Sequence, residues 1–213
     1  MRSIRDHLTL KADIGSWVLY HSRSKDKKFN PFKKRVFERD QHTCVYCGFQ
    51  SHHAMCVVNF DGNYKNNNID NLVTACPFCA QVQFLPLVGK DGDSGGTLIY
   101  LPDINQADLN GLCHVLFCAI ENQTDYAERA QKIYNSLRLR AEPIENQWGK
   151  GLSQPAMMGQ LLIDAPLEDQ AHWHQVIFQH LRLLPSQSAF KSHIAEWSNT
   201  ALEQGLTAPE GWT

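Results

Sequence analysis

Four of the seven cysteines stand in two short pairs, Cys44 and Cys47 in the run Cys-Val-Tyr-Cys-Gly, and Cys76 and Cys79 in Cys-Pro-Phe-Cys. Two Cys-x-x-Cys pairs about thirty residues apart suit one tetrahedral Zn²⁺, because each pair turns two thiolates inward and together they fill the four positions of a structural zinc. Such a site keeps no position for an activating water, so its metal, one per chain, would hold a fold together and not do chemistry. Four unligated buried thiols, or two disulfides, are the other readings of the same residues. With four cysteines on a metal, Cys56, Cys113 and Cys118 remain as reduced thiols, a pattern that an oxidising compartment disfavours.

Other chemistry-bearing residues are weaker candidates. His172 and His174 are two apart and His180 follows six later; on a helix the first two face different directions, which argues for surface or half-buried histidines. His52 and His53 fall just after Cys47, inside the turn a zinc knuckle needs. The glycine cluster from Gly89 to Gly96 lacks the Gly-Lys-Ser/Thr of a phosphate loop.

The elements that must position the cysteines can be read from periodicity. Phe32, Val36 and Phe37 mark a short amphipathic helix over 31–40 that leads into the first pair. Val57 and Val58, then Leu72 and Val73, flank the turn-rich stretches Asp61-Gly-Asn and Asn66-Asn-Asn and predict a hairpin, with the second pair at the start of a helix. Upstream, 8–20 alternates partly and ends in Trp17-Val-Leu-Tyr20, which predicts a strand or hairpin, followed by a polar basic loop from His21 to Lys28.

Downstream, Thr97 to Leu101 reads as a strand stopped by Pro102. Leu109, Leu112, Leu116 and Ile120 give a helix, with Cys113 and Cys118 within it. Tyr126, Ala130, Ile133, Tyr134 and Leu137 give another, with Thr124 as its cap. A break over 141–151 contains Pro143 and two glycines. Beyond it come a short helix at Met157, Leu161 and Leu162, and a helix whose stripe is Trp173, Val176, Ile177, Leu181 and Leu184, ended by Pro185. The last helix carries Phe190, Ile194, Trp197 and Ala201, capped by Ser186 or Ser188 and ended by Gly205.

At 213 residues, 43% hydrophobic and 20% charged, the chain has the balance of a globular protein. Residues 1–40 hold eleven Lys/Arg against five Asp/Glu, and the remainder nine against seventeen. The pI near 6.5 argues against a dedicated nucleic-acid binder. The start of the chain has no apolar stretch long enough for a signal peptide or membrane span, so a cytoplasmic location is expected.

The run Phe37-Glu-Arg-Asp-Gln-His-Thr-Cys-Val-Tyr-Cys-Gly48, with Asp61-Gly-Asn, Asn66-Asn-Asn and Asn71-Leu-Val-Thr-Ala-Cys-Pro-Phe-Cys79, resembles the HNH endonuclease family over about residues 35–82. That resemblance implies a Cys₄ zinc stapling a ββα core. Matched residue by residue, the family's metal ligand falls on Val58, its general-base histidine on Asn59 and its later His or Asn ligand on Ala80; Asn71 alone survives. A valine cannot ligate a metal, an asparagine cannot take a proton from water at neutral pH, and alanine has no donor atom. The expectation is a nuclease-like fold without catalysis; the alternative is an HNH-type metal-dependent nuclease or DNA-binding protein that uses the basic first segment, with His52 or His53 as replacement groups.

Over its whole length the chain is also similar to the IcmJ/DotN family of Dot/Icm type IVB secretion systems. This implies a non-enzymatic cytoplasmic subunit of the coupling complex, peripheral to the inner membrane. It would bind the C-terminal extension of the coupling ATPase DotL beside DotM and the IcmS/IcmW adaptors, and support effector recruitment, with no nucleic-acid partner. The expected architecture is α+β: an N-terminal strand region plus zinc module over 1–102, and a mainly helical region over 103–213 packed on it. Trp148, Met157, Met158 and Trp212 are candidate interface anchors.

Overall fold

The computed structural model describes residues 7–90, 92, 94–166, 168, 169, 172, 175 and 178–203. Residues 8–13 belong to no helix or strand. Leu8 and Leu10 are buried, and Lys11 pairs through its backbone with the 3₁₀ segment Val82–Leu87, donating to Val82 and accepting from Leu85.

The strand or hairpin expected over 8–20 does not form. Asp13 accepts hydrogen bonds from the amides of Gly15 and Ser16 at 2.9 and 3.3 Å and so caps helix α1, Ile14–Lys25, in the manner of an N-cap aspartate. The β-prone Trp17-Tyr20 run lies inside α1, and the expected basic loop is its last turns plus a 3₁₀ turn at Lys27–Phe29. Tyr20 decides the matter by packing: its ring lies 4.8 Å from that of Phe84 and 5.8 Å from that of Tyr64. Tertiary contact overrides a propensity worth a fraction of a kcal/mol.

Helix α2, Asn30–Arg39, forms as expected. Its end is tied to the following hairpin: Arg39 donates to the carbonyls of Ile69 and Leu72, and Asp40 accepts from the amide of Thr74 at 2.8 Å. The hairpin is β1, Cys56–Asn59, antiparallel to β2, Leu72–Ala75, in the register Cys56↔Ala75 to Asn59↔Leu72. Helix α3, Pro77–Gln81, follows at once, all of it buried, with Pro77 in the first turn where its missing N–H costs nothing.

Strand β3, Gly96–Tyr100, finds its partner far along the chain. It pairs antiparallel with β4, Leu181–Pro185, from Gly96↔Pro185 to Tyr100↔Leu181. The helix expected to continue to Leu184 is therefore a strand at its end; Trp173, His174, Val176 and Ile177 lie outside the described residues. Leu181 and Leu183 are buried while Arg182 between them donates to the carbonyl of Ile104 at 2.6 Å, the alternation of a strand. Pairing also satisfies buried β3 backbone that would otherwise be orphaned.

Between them lie α4, Gln106–Glu121, and α5, Ala127–Leu139. Asn105 caps α4 by accepting from the amide of Asp108. Tyr126 occupies the cap position of α5, and Thr124, expected there, accepts from the Tyr126 amide. The expected break over 141–151 holds a short helix, α6, Glu142–Trp148, which Pro143 opens from its first turn and Gly149 ends at φ 122°. Helices α7, Pro155–Asp164, and α8, Lys191–Glu203, complete the described chain; Gly205 lies outside it.

The architecture is α+β. One core joins Tyr46, Phe78 and Leu98 to Leu116, Phe117, Phe190 and Ile194, so residues on both sides of position 102 bury one another. The β3–β4 pairing crosses the same position. A small second cluster, Val36, Val57 and Leu72, fastens α2 to the hairpin.

Candidate metal centre

Two tight turns bring the cysteine pairs together. Before the first pair, Gln41 and His42 adopt positive φ of 53° and 54°. The chain then doubles back, with Cys44 donating to the Phe49 carbonyl at 2.8 Å and Gly48, at φ 78°, donating to the Cys44 carbonyl. Val45 donates to the Thr74 carbonyl, which holds this turn against β2. The second pair uses the start of α3: Cys76 is its N-cap, and its carbonyl accepts from Cys79 and Ala80.

The four sulfurs lie within 4.8 Å of one another, and Cys47 Sγ is 3.6 Å from Cys76 Sγ. Zn–S bonds of about 2.3 Å place tetrahedral sulfurs about 3.8 Å apart, so the four positions fit the ion. Cys44, Cys76 and Cys79 are buried and Cys47 half-buried, and no two of them are bonded. Burial pushes the thiols of Cys76 and Cys79 up. At Cys44 burial acts in the same sense, but hydrogen bonds from the other three thiols outweigh it and hold the group well below its ordinary value. Four buried thiolates side by side would need a cation to offset their charge. An all-thiolate donor set selects a soft or borderline ion such as Zn²⁺.

Three polar residues of α4 that sequence reading passed over complete the surroundings. Gln106, Asn110 and His114 are all buried, one turn apart along one face. Asn110 Nδ2 lies 3.2 Å from Cys79 Sγ and His114 Nε2 3.3 Å from Cys76 Sγ. The imidazole is stacked between Phe49 at 3.7 Å and Phe78 at 4.3 Å, and burial there lowers its pKa to about 3. The signal was present: a polar residue every fourth position, running between apolar residues of the same helix.

The remaining candidates are elsewhere. Val58 is buried. Asn59 is also buried; its amide donates to the carbonyls of Asn63 and Asn66 and accepts from Arg23. Ala80 is buried in α3. Asn71 braces the loop, donating to Asp61 and to the Asn66 carbonyl. His52 and His53 are exposed; the first lies over His42 with ring centres 4.2 Å apart, and the second sits 3.1 Å from Glu196. Neither joins the cysteine cluster. Cys113 is buried and Cys118 half-buried in α4. His172 and His180 are exposed, and His174 lies outside the described residues.

The type 4 apparatus protein DotN of Legionella pneumophila is 48% identical to this chain over 200 residues, which cover 94% of this chain and 93% of the relative. The chain belongs to the DotN family. No family model matches it. Among the described residues of this DotN-family chain, no helix is long and apolar enough to cross a membrane. Of the expected anchors, Met157 is exposed and Trp148 half-buried, Met158 is on the buried side of α7 and so presents no surface, and Trp212 lies outside the described residues.

Proposed function

We infer that this protein is a non-catalytic subunit of a type IVB secretion coupling complex, stapled by one structural zinc and built on a nuclease-like ββα core that has lost its chemistry. The observation that carries this reading is the near full-length identity to a type 4 apparatus protein. The closed four-sulfur cluster supports a metal that organises structure, because no ligand position is left for a reacting water. The positions that matched catalytic residues in the HNH outline support the loss of hydrolysis: Val58 and Ala80 carry no ligand atom, and the Asn59 amide is engaged within the fold.

In this reading the protein binds the C-terminal extension of the coupling ATPase DotL, next to DotM and IcmS/IcmW, on the cytoplasmic side of the inner membrane, and supports effector recruitment. Exposed apolar side chains suited to docking are present on α1, at Ile14, Val18 and Leu19, and on α7, at Met157 and Leu161. In this reading the zinc-bearing part over 1–102 and the mainly helical part over 103–213 pack on each other as one scaffold.

The test is co-purification of the full chain with a peptide spanning the coupling ATPase tail, beside incubation of the chain with plasmid DNA and Mg²⁺, Mn²⁺ or Ni²⁺. Stable capture of the peptide and intact plasmid are the expected results. Metal-dependent nicking that is lost in His52→Ala or His53→Ala would replace the reading with a nuclease.

A further inference from the structure

Asn110 and His114 approach the cysteine cluster from α4, an element with no place in the two knuckles that hold the sulfurs. The polarity of the Asn110 contact is set by backbone. The amide of Leu183 in β4 is a donor and nothing else; it donates to Gln106 Oε1 at 2.8 Å. Gln106 Nε2 must then be the donor that reaches both the Leu183 carbonyl, at 2.8 Å, and Asn110 Oδ1, at 2.9 Å. With its oxygen committed to Gln106, Asn110 turns its NH₂ group toward Cys79 Sγ. A chain of hydrogen bonds anchored on β4 therefore ends in an N–H pointed at a sulfur.

His114, one turn further along, reaches Cys76 Sγ with its ring held between Phe49 and Phe78. Gly111, between them, faces the first knuckle, where a Cβ would sit in ordinary van der Waals contact, 3.5 Å from the Cys47 carbonyl oxygen.

The geometry points to Asn110 and His114 as paired outer-sphere donors to the zinc-bound thiolates of Cys79 and Cys76, with Gln106 orienting the first. A sulfur on zinc is an acceptor only, so it fixes His114 with its proton on Nε2. Each N–H withdraws charge from an anionic four-sulfur centre that would otherwise carry a net charge of about −2. The consequence is structural: α4 and β4, which lie beyond the zinc module in sequence, are part of the metal site. This inference rests on zinc occupying the cluster. Both residues act through the cysteines and are positioning residues.

Full-length chain loaded with zinc, and separately with Co²⁺, provides the test, with zinc affinity read by competition with a chromophoric chelator and thiolate environment read from the sulfur-to-Co²⁺ charge-transfer band. His114→Phe keeps the stacked ring and removes the donor; His114→Gln restores a donor without the ring; Asn110→Asp replaces the NH₂ by an oxygen at nearly equal volume. Outer-sphere partners of metal ligands are worth about 10–100-fold in affinity. His114→Phe and Asn110→Asp should each weaken zinc by that factor and shift the charge-transfer band to lower energy, while His114→Gln recovers most of the affinity.

Wild-type affinity in both His114→Phe and Asn110→Asp would overturn the inference and leave the zinc reading standing. Wild-type affinity in His114→Phe with loss in His114→Gln would assign His114 to packing alone and overturn it equally. Absence of zinc and of a Co²⁺ charge-transfer band in the wild type would overturn both readings. If His114→Phe does not fold, Asn110→Asp is read beside the uncharged Asn110→Leu, which removes the same N–H without adding a carboxylate: loss of affinity in both is expected, and wild-type affinity in Asn110→Leu would overturn the inference.

Discussion

In the proposed nuclease-like reading Asn59 stands where a proton-accepting group would be expected, and its environment shows what the side chain does. Its two N–H bonds close the loop carbonyls of Asn63 and Asn66, and its oxygen meets the Arg23 guanidinium, which also holds the Val57 carbonyl and Asn67. Asn59→Ala should lower stability by about 2–3 kcal/mol in urea unfolding, since two carbonyls and a half-buried guanidinium lose partners together. The thiols divide in the same residue-by-residue way. Cys113 is buried but distant in role from the four-sulfur cluster. Cys113→Ala should keep one zinc per chain by elemental analysis at a cost of about 1 kcal/mol, whereas Cys44→Ser or Cys76→Ser should lose both the metal and cooperative unfolding.

At the scale of elements, β4 is held on both edges by unlike means. One edge pairs with β3, and at the other the Gln106 side chain imitates a strand by bonding both the N–H and the C=O of Leu183. Gln106→Ala should cost about 2–3 kcal/mol by leaving two buried backbone groups unpaired, measurable as a fall in the denaturation midpoint. Helix α7 seats on the 3₁₀ segment at Gly159, where a Cβ would fall 2.7 Å from the Pro86 backbone nitrogen. Glycine to alanine inside a helix normally stabilises by about 1 kcal/mol. Gly159→Ala should instead destabilise by about 1–3 kcal/mol, because backbone and not a movable side chain stands in the way, and a lowered melting temperature would record that reversed sign.

Across the whole molecule, the four-sulfur cluster and the helices share one core, so the proposed zinc is expected to stabilise more than the segment that supplies its ligands. Removing zinc with a strong chelator should broaden thermal unfolding and raise amide exchange in α4 as well as in the two knuckles. Acid should act in the same direction. Protons compete with zinc for the thiolates, so stability present at neutral pH falls as pH is lowered, and metal release and unfolding should coincide in one titration.

The cysteine pairs, the hairpin beside them and the α3 start were readable from the chain itself because each rests on local chemistry: ligand spacing, turn residues around Asp61 and Asn66, and a proline in a first turn. The α2 and α4 periodicities were readable for the same reason. Only the tertiary structure decided that Trp17 to Tyr20 is helical, since the outcome turns on Phe84 and Tyr64, which are distant in sequence. Only it decided that Leu181 to Pro185 is a strand, because the partner is β3, about eighty residues earlier. The roles of Gln106, Asn110 and His114 belong to the same class. A buried polar residue declares that it needs a partner, but the sulfurs and the β4 backbone that satisfy these three are brought to α4 by the fold.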